Sequence, residues 1–228
     1  MLTDGILEYK KLANFELSVV GIIKRTATEV QVPCNFDGMS VVKIEENAFA
    51  DCVHLHDVWL GAIREIGACA FSGCINLQNV YHRMLYSTVD LGFQAFQGCI
   101  NLQKVDINIR SIAEETFLNC VRLRTLQVSG CCLSVGPNAF CGCTKLEQVH
   151  FLASATALKI WPKSVSYIQI RKLQFDRNVE FVQDSETPIP GTEYFPSDAK
   201  IHCSDDSNLT ELCHFGREVV VEEFCDFF

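Results

Sequence analysis

The sequence predicts a β-rich repeat solenoid whose strands form a parallel sheet. Three observations carry that prediction. A phrase of the form Phe–x2–Cys–x2–Leu–x2–Val/Leu occurs five times, with an apolar residue five positions before each Phe. The phenylalanines, Phe49, Phe71, Phe96, Phe117 and Phe140, follow one another at steps of 22, 25, 21 and 23 residues. Such a period belongs to stacked units and not to a single enzyme core. The end of each phrase reads Leu-x-x-Val-x-apolar, and its period-two alternation is that of a strand with one buried face.

Each column of the phrase has its own chemistry. The opening column is Ile44, Ile66, Leu91, Ile112 and Val135. The next position is glycine in three units (Gly67, Gly92, Gly136), Ala113 in one and Glu45 in one. The cysteine ladder, Cys52, Cys74, Cys99, Cys120 and Cys143, is preceded by Asp51, Gly73, Gly98, Asn119 and Gly142, all residues that favour turns. Leu55, Leu77, Leu102, Leu123 and Leu146 follow, then Val58, Val80, Val105, Leu126 and Val149, then Leu60, His82, Ile107, Val128 and Phe151. An insertion around Arg83–Thr88 lengthens the second step. No unit can bury its own apolar edge, so about three must stack, and five are present.

The ends read as closures of this array within one continuous domain. Residues 1–40 are expected to form an N-terminal cap and truncated repeat, with two strands within residues 6–23 and a strand end at Val30, Val32 and Pro33. Residues 41–151 hold the five repeats. Residues 152–228 are expected to form a degenerate repeat and a C-terminal cap or tail. Within them Val165, Ile168 and Ile170 have strand spacing, residues 184–198 read as a loop, and residues 199–203 as a short strand. Residues 207–215 suggest a helix capped by Ser207 or Asn208.

The blocks IREIGACAFSGCINLQNV (residues 63–80) and LGFQAFQGCINLQKVDI (residues 91–107) resemble the BspA-like class of leucine-rich repeats, also called TpLRR. The resemblance spans about residues 41–151 and extends to the lead-in VQVPCNFDGMSVVKI. Three features depart from the pattern: His82 at a buried column, and Glu45 and Ala113 in place of glycine. The resemblance implies a leucine-rich-repeat arc of five full repeats with degenerate ends. It also implies a role in adhesion or surface recognition, and a cell-surface or secreted location.

Composition narrows the function classes. The net charge is −9, of which residues 152–228 hold −6 (7 basic against 13 acidic residues). An acidic chain without a Lys/Arg run argues against nucleic-acid partners. No stretch approaches the roughly 18 apolar residues of a membrane span, so no membrane insertion is expected. The first ten residues lack the apolar run of a secretory signal, which favours a cytoplasmic location. The 13 cysteines then read as reduced thiols, five of them structural ladder positions. Cys131–Cys132 with Cys141 and Cys143 is the one cluster that suggests a metal or redox site, but no CxxC pair occurs and free thiols are favoured. No cofactor is expected, and no catalytic motif is recognisable. The exposed-turn pair His54 and His56 is read as solvated.

Candidate binding residues follow from geometry. The outward positions beside the buried columns form two rows: Asp57, Asn79, Lys104, Thr125 and Gln148, and Trp59, Tyr81, Asp106, Gln127 and His150. Trp59 and Tyr81 share a column in adjacent units, and such residues are enriched at interface hot spots. Two readings stand here. The rings anchor a partner, or one of them packs over Arg83 and the insertion. The favoured function is a non-catalytic module in which this face docks an unidentified protein. The alternative is a thiol- or metal-dependent sensor or enzyme that uses the non-ladder cysteines.

Overall fold

The computed structural model describes residues 2–84, 87–128, 132–152, 157–160, 172–175, 179–181, 200–204 and 219–222. Among them there are strands and turns and no helix. The chain opens with β1 (Leu2–Thr3), β2 (Leu7–Lys11) and β3 (Glu16–Ile22), then β4 (Glu29–Gln31), β5 (Asn35–Phe36) and β6 (Met39–Ile44). The repeats contribute β7 (Asp57–Leu60), β8 (Glu65–Ile66), β9 (Asn79–His82), β10 (Val89–Leu91), β11 (Lys104–Asp106) and β12 (Ile109–Ile112). They continue with β13 (Thr125–Val128), β14 (Ser134–Val135), β15 (Gln148–Phe151) and β16 (Leu158–Ile160). The last strands are β17 (Lys172–Phe175), β18 (Val179–Phe181), β19 (Lys200–Ser204) and β20 (Val219–Glu222).

These strands form a parallel β-solenoid. The opening columns stack along one side as Ile44, Ile66, Leu91, Ile112, Val135, Ile160 and Phe181, in register through β6, β8, β10, β12, β14, β16 and β18. The β1–β2–β3 meander is antiparallel within itself and joins that sheet where β3 runs parallel to β6. The truncated unit supplies β4, whose Glu29, Val30 and Gln31 lie opposite Asp57, Val58 and Trp59.

Turns between the two strand sides carry the core. The rings of Phe49, Phe71, Phe96, Phe117 and Phe140 stack in sequence at centroid distances of 4.9, 5.3, 5.5 and 5.6 Å, within 4° of parallel. All five are fully buried. The cysteine ladder explains itself beside them. Each thiol donates to the carbonyl of the Phe one unit back: Cys74 to Phe49 at 3.0 Å, Cys99 to Phe71 at 3.1 Å, Cys120 to Phe96 at 3.1 Å and Cys143 to Phe117 at 3.0 Å. A small donor that fits a buried turn gives a second bond to a carbonyl that already accepts the ladder Cys amide of its own unit, as Phe49 O does from Cys52 N–H at 3.1 Å. The glycine column is a close approach of backbones, since a Cβ on Gly92 would lie 2.8 Å from the Ala68 nitrogen.

Two corners per unit use left-handed backbone. One is the residue before the ladder Cys, as its turn-forming composition implies. The other lies two before each Phe, at Asn47, Cys69, Gln94, Glu115 and Asn138 with φ between 51° and 58°. Cys69, Gln94 and Glu115 give no sequence signal of such a turn. Their amides bond to the next unit (Gln94 N–H to Glu114 O, 3.1 Å), and their side chains bond along the column, with Gln94 Nε2 donating to Glu115 Oε2 at 2.6 Å.

Two expectations need correction. The strand side is not one continuous sheet. It is divided into β4–β7–β9–β11 and β13–β15–β17–β19–β20, with no pairing between β11 and β13. The break coincides with the shortest crossover of the array. Eight positions lead from Val58 to Ile66, but only seven from Val105 to Ile112, and a register shift opposite Val89–Asp90 bulges β12 within them. The crossover ends β11 at Asp106, one residue shorter than β7, β9, β13 and β15. The second correction concerns the sixth strand. The strand paired with β15 is β17, so Leu173 and Phe175 take the columns of Val149 and Phe151. Val165, Ile168 and Ile170 lie outside the described residues, as do the expected loop and helix at 184–198 and 207–215.

Candidate functional site

The period-two alternation places the candidate residues on the outer face of the strand side. Asp57, Asn79 and Lys104 are in register on β7, β9 and β11, and so are Trp59, Tyr81 and Asp106. Asn79 Nδ2 donates to Asp57 Oδ1 at 2.6 Å. The Trp59 and Tyr81 rings stack, with centroids 5.7 Å apart and planes 20° from parallel, and both stay half-buried. Lys104 Nζ lies 5.1 Å from the Tyr81 ring centroid and 3.1 Å from Asp106 Oδ2. The six residues therefore form one patch: indole, phenol, ammonium and carboxylate in file. Arg83 donates to Gln31 Oε1 at 3.3 Å, so its guanidinium is engaged at the Trp59 end of the row.

Thr125, Gln127, Gln148 and His150 lie on the other sheet, where β13 and β15 pair in full register. A cleft of about 460 Å³ separates the halves, lined by residues 103–108, Thr125, Gln127 and Leu152. Beside it is a second hollow, lined by Gln103, Arg122, Arg124, Thr125 and Lys145. Arg122 and Lys145 share the column just before Leu123 and Leu146, a signal the sequence reading did not use, and Arg124 lies one residue past Leu123. They converge because each lies in or beside the turn ahead of β13 or β15. The sequence reading also missed an apolar ridge one residue past the ladder Cys, where Val53, Ile75 and Ile100 are exposed. Asn76 and Asn101 hold its turns by donating to the Val53 and Ile75 carbonyls at 2.7 and 2.8 Å.

The described thiols differ in their surroundings, and the hydrogen bond with Cys74 lowers the pKa of Cys52. Burial pushes the Cys99 and Cys120 thiols up, and it also raises those of the more accessible Cys69 and Cys141. A raised thiol is less often thiolate, which is the reactive and metal-binding form. Cys132 is buried in the column of Val41, Ile63 and Ile109, while Cys131 lies outside the described residues. Among the described residues no three His, Cys, Asp or Glu side chains converge as metal ligands. His82 is half-buried, hydrogen-bonded through Nε2 to Ser87 Oγ at 3.2 Å, and burial lowers its pKa. No helix among the described residues is long and apolar enough to cross a membrane.

Comparison with known proteins agrees with this geometry. The chain has the fold of a Treponema pallidum leucine-rich repeat protein (TM-score 0.67, 20% identity), with 79% of this chain and 85% of that one covered. A leucine-rich cell surface protein of Faecalibacterium prausnitzii A2-165 superposes with a TM-score of 0.66 at 20% identity, over 90% of this chain and 50% of that one. A leucine-rich repeat protein of Bacteroides ovatus gives 0.51 at 14% identity, over 97% of this chain and 76% of that one. No curated protein matches the sequence. The family model for the BspA type leucine rich repeat region matches in 6 copies, over residues 33–147 and 64–186. With its phenylalanine and cysteine ladders accounted for and well over half its length matched, the chain belongs to the BspA-type leucine-rich repeat family.

Proposed function

We propose that the chain is a non-catalytic docking module that binds a protein through the outer face of β4, β7, β9 and β11. Repeats of this class generally mediate protein interaction. The observation that carries the finer reading is the Trp59–Tyr81 stack. It combines two large, half-exposed aromatic surfaces on a rigid sheet, flanked by polar groups at Asp57, Asn79, Lys104 and Asp106. Aromatic anchors with a polar rim are the usual make-up of a protein interface. Gln127 and His150 belong to the far side of the cleft and would extend the contact only for a partner that spans it.

The test is capture of partners from the source cell by the native chain and by Trp59→Ala/Tyr81→Ala. Glu46→Ala/Glu114→Ala on the turn side serves as control, with thermal melts for all. The aromatic pair should lose the partner at unchanged fold. Equal capture by the aromatic pair and loss in the control would place the docking surface on the turn side. A reducing compartment goes with this reading, because the ladder thiols donate hydrogen bonds that need the S–H form. Surface display would follow the description of the Faecalibacterium protein.

A further inference from the structure

We propose that the cleft between β11 and β13 is a binding groove for an extended, acidic segment of a partner protein. The proposal rests on the docking role given to this face and adds where a peptide enters and what chemistry it carries. Elsewhere on the strand side one carbonyl per unit receives two amides from the next. Thr28 O receives those of His56 and Asp57, His56 O those of Gln78 and Asn79, Gln78 O those of Gln103 and Lys104, and Arg124 O those of Glu147 and Gln148. The equivalent acceptor, Gln103 O, receives neither Arg124 N–H nor Thr125 N–H. β11 pairs only with β9, and β13 only with β15. Their facing edges therefore present unpaired peptide groups on the walls of a 460 Å³ cleft. Solvent reaches behind them, since Val105 and Ile107 are 7% and 6% exposed where Val58, Val80 and Leu60 are 0%.

An exposed strand edge recognises the backbone of an extended chain. The charge at the groove says which chain. Lys104, Arg122, Arg124 and Lys145 are all exposed at or beside it, against Asp106 and Glu147. Lys104 pairs with Asp106 at 3.1 Å and Arg124 with Glu147 at 3.8 Å. Arg122 and Lys145 have no carboxylate partner among the described residues. On a chain of net charge −9 this local excess of cations is an exception, and it favours Asp or Glu side chains on the bound segment.

The experiment uses the full chain and a phage-displayed library of random decamers, followed by anisotropy of the selected peptides as fluorescein conjugates. Selected sequences should be enriched in Asp and Glu. Their affinity should fall at least about tenfold for Arg122→Glu/Lys145→Glu and on N-methylation of alternate peptide nitrogens. The free chain should exchange the Thr125 and Gln127 amides quickly, and bound peptide should protect them. Three outcomes overturn the proposal: no acidic enrichment, binding indifferent to the charge reversal or to N-methylation, and equal binding of a deoxythymidine decamer, which would make the patch a phosphate site. If acidic peptides fail while Trp59→Ala/Tyr81→Ala still abolishes capture of a cellular partner, the groove is wrong and the docking face stands.

Discussion

The turn side and the crossover side of each unit obey different rules. From the opening column to the Val/Leu column, all five units use fourteen positions: Ile44 to Val58, Ile66 to Val80, Leu91 to Val105, Ile112 to Leu126 and Val135 to Val149. From there to the next opening column the count is eight, eleven, seven, nine and eleven. All the variation in repeat length is thus in the crossover. The physical reason is the density of unit-to-unit bonds on the turn side. Stacked rings, thiol-to-carbonyl bonds, left-handed corners and glycine contacts must all stay in register there, and one added residue would displace them together. The crossover is laddered only through the strands at its two ends, so the stretch between them accepts insertions. Where it is shortest, the strand side is open. The surface that could be recognised therefore varies where the core does not constrain it.

The largest effect that tests this contrast is removal of a central ring. Phe96 stacks on Phe71 and Phe117 at 5.3 and 5.5 Å and is fully buried. Phe96→Ala should cost about 3–5 kcal/mol, read from denaturant unfolding. Because stacked units are held by their neighbours, protection from amide exchange should fall on both sides of the third unit. A cost below about 1 kcal/mol, typical of surface changes, would mean that the ring column does not hold the units together.

Next in size is Gly92→Ala. The new Cβ would meet the Ala68 nitrogen at 2.8 Å and the Ile66 oxygen at 2.9 Å, backbone atoms that cannot swing aside. About 1–3 kcal/mol should be lost, the usual cost of overpacking. An unchanged melting temperature would show that adjacent units can slide apart on the turn side.

A smaller, pH-dependent effect belongs to His82, at the edge of the longest crossovers. Burial lowers its folded-state pKa below the unfolded value of about 6.5. Between the two values the unfolded chain binds more protons, so stability is full above about pH 6.5 and falls as the pH drops through the folded value. His82→Leu, which restores the apolar character of Leu60 and Val128 in that column, should remove this part of the slope. The check is denaturant unfolding at pH 7.5 and 5.5. An equal slope in both proteins would assign the acid loss to carboxylates.

Much of this was legible in the sequence, and the limit is instructive. The Phe, Cys and Leu columns repeat identically, so spacing alone located the core, the strand faces and the neighbouring positions of Trp59 and Tyr81. The break between β11 and β13 was harder to see. It coincides with a count of seven in one crossover, a number that stands out only once fourteen is known to be invariant elsewhere. The sixth strand was misplaced by a few residues because β17 lacks an upstream Phe and Cys, leaving Ile170-x-x-Leu173-x-Phe175 to compete with the equally apolar run before it. The left-handed corners at Cys69, Gln94 and Glu115 carry no residue preference at all. Inter-unit hydrogen bonds impose them.

The smallest expected change in stability is also the sharpest test of the contrast. Inserting one glycine between Ile107 and Asn108 would bring the third crossover to the eight positions that join Val58 to Ile66, a pair of units whose strands are fully paired. If crossover length separates β11 from β13, the insertion should let β11 extend and the two edges pair. Lengthening a loop by one residue costs only tenths of a kcal/mol, so overall stability should move by less than about 0.5 kcal/mol. The local signal should be much larger. Thr125 and Gln127 amides would slow in exchange by about tenfold or more as they gain partners. Acidic decamers that bind the native groove should be lost in the same variant, because the peptide groups they would use are then taken by the sheet itself. Unchanged exchange at Thr125 and Gln127 would separate the break from the crossover count. The cause would then lie in the β12 bulge, where Arg110 Nε donates to Asp90 Oδ1 at 2.9 Å and Ser111 Oγ to the same oxygen at 2.6 Å.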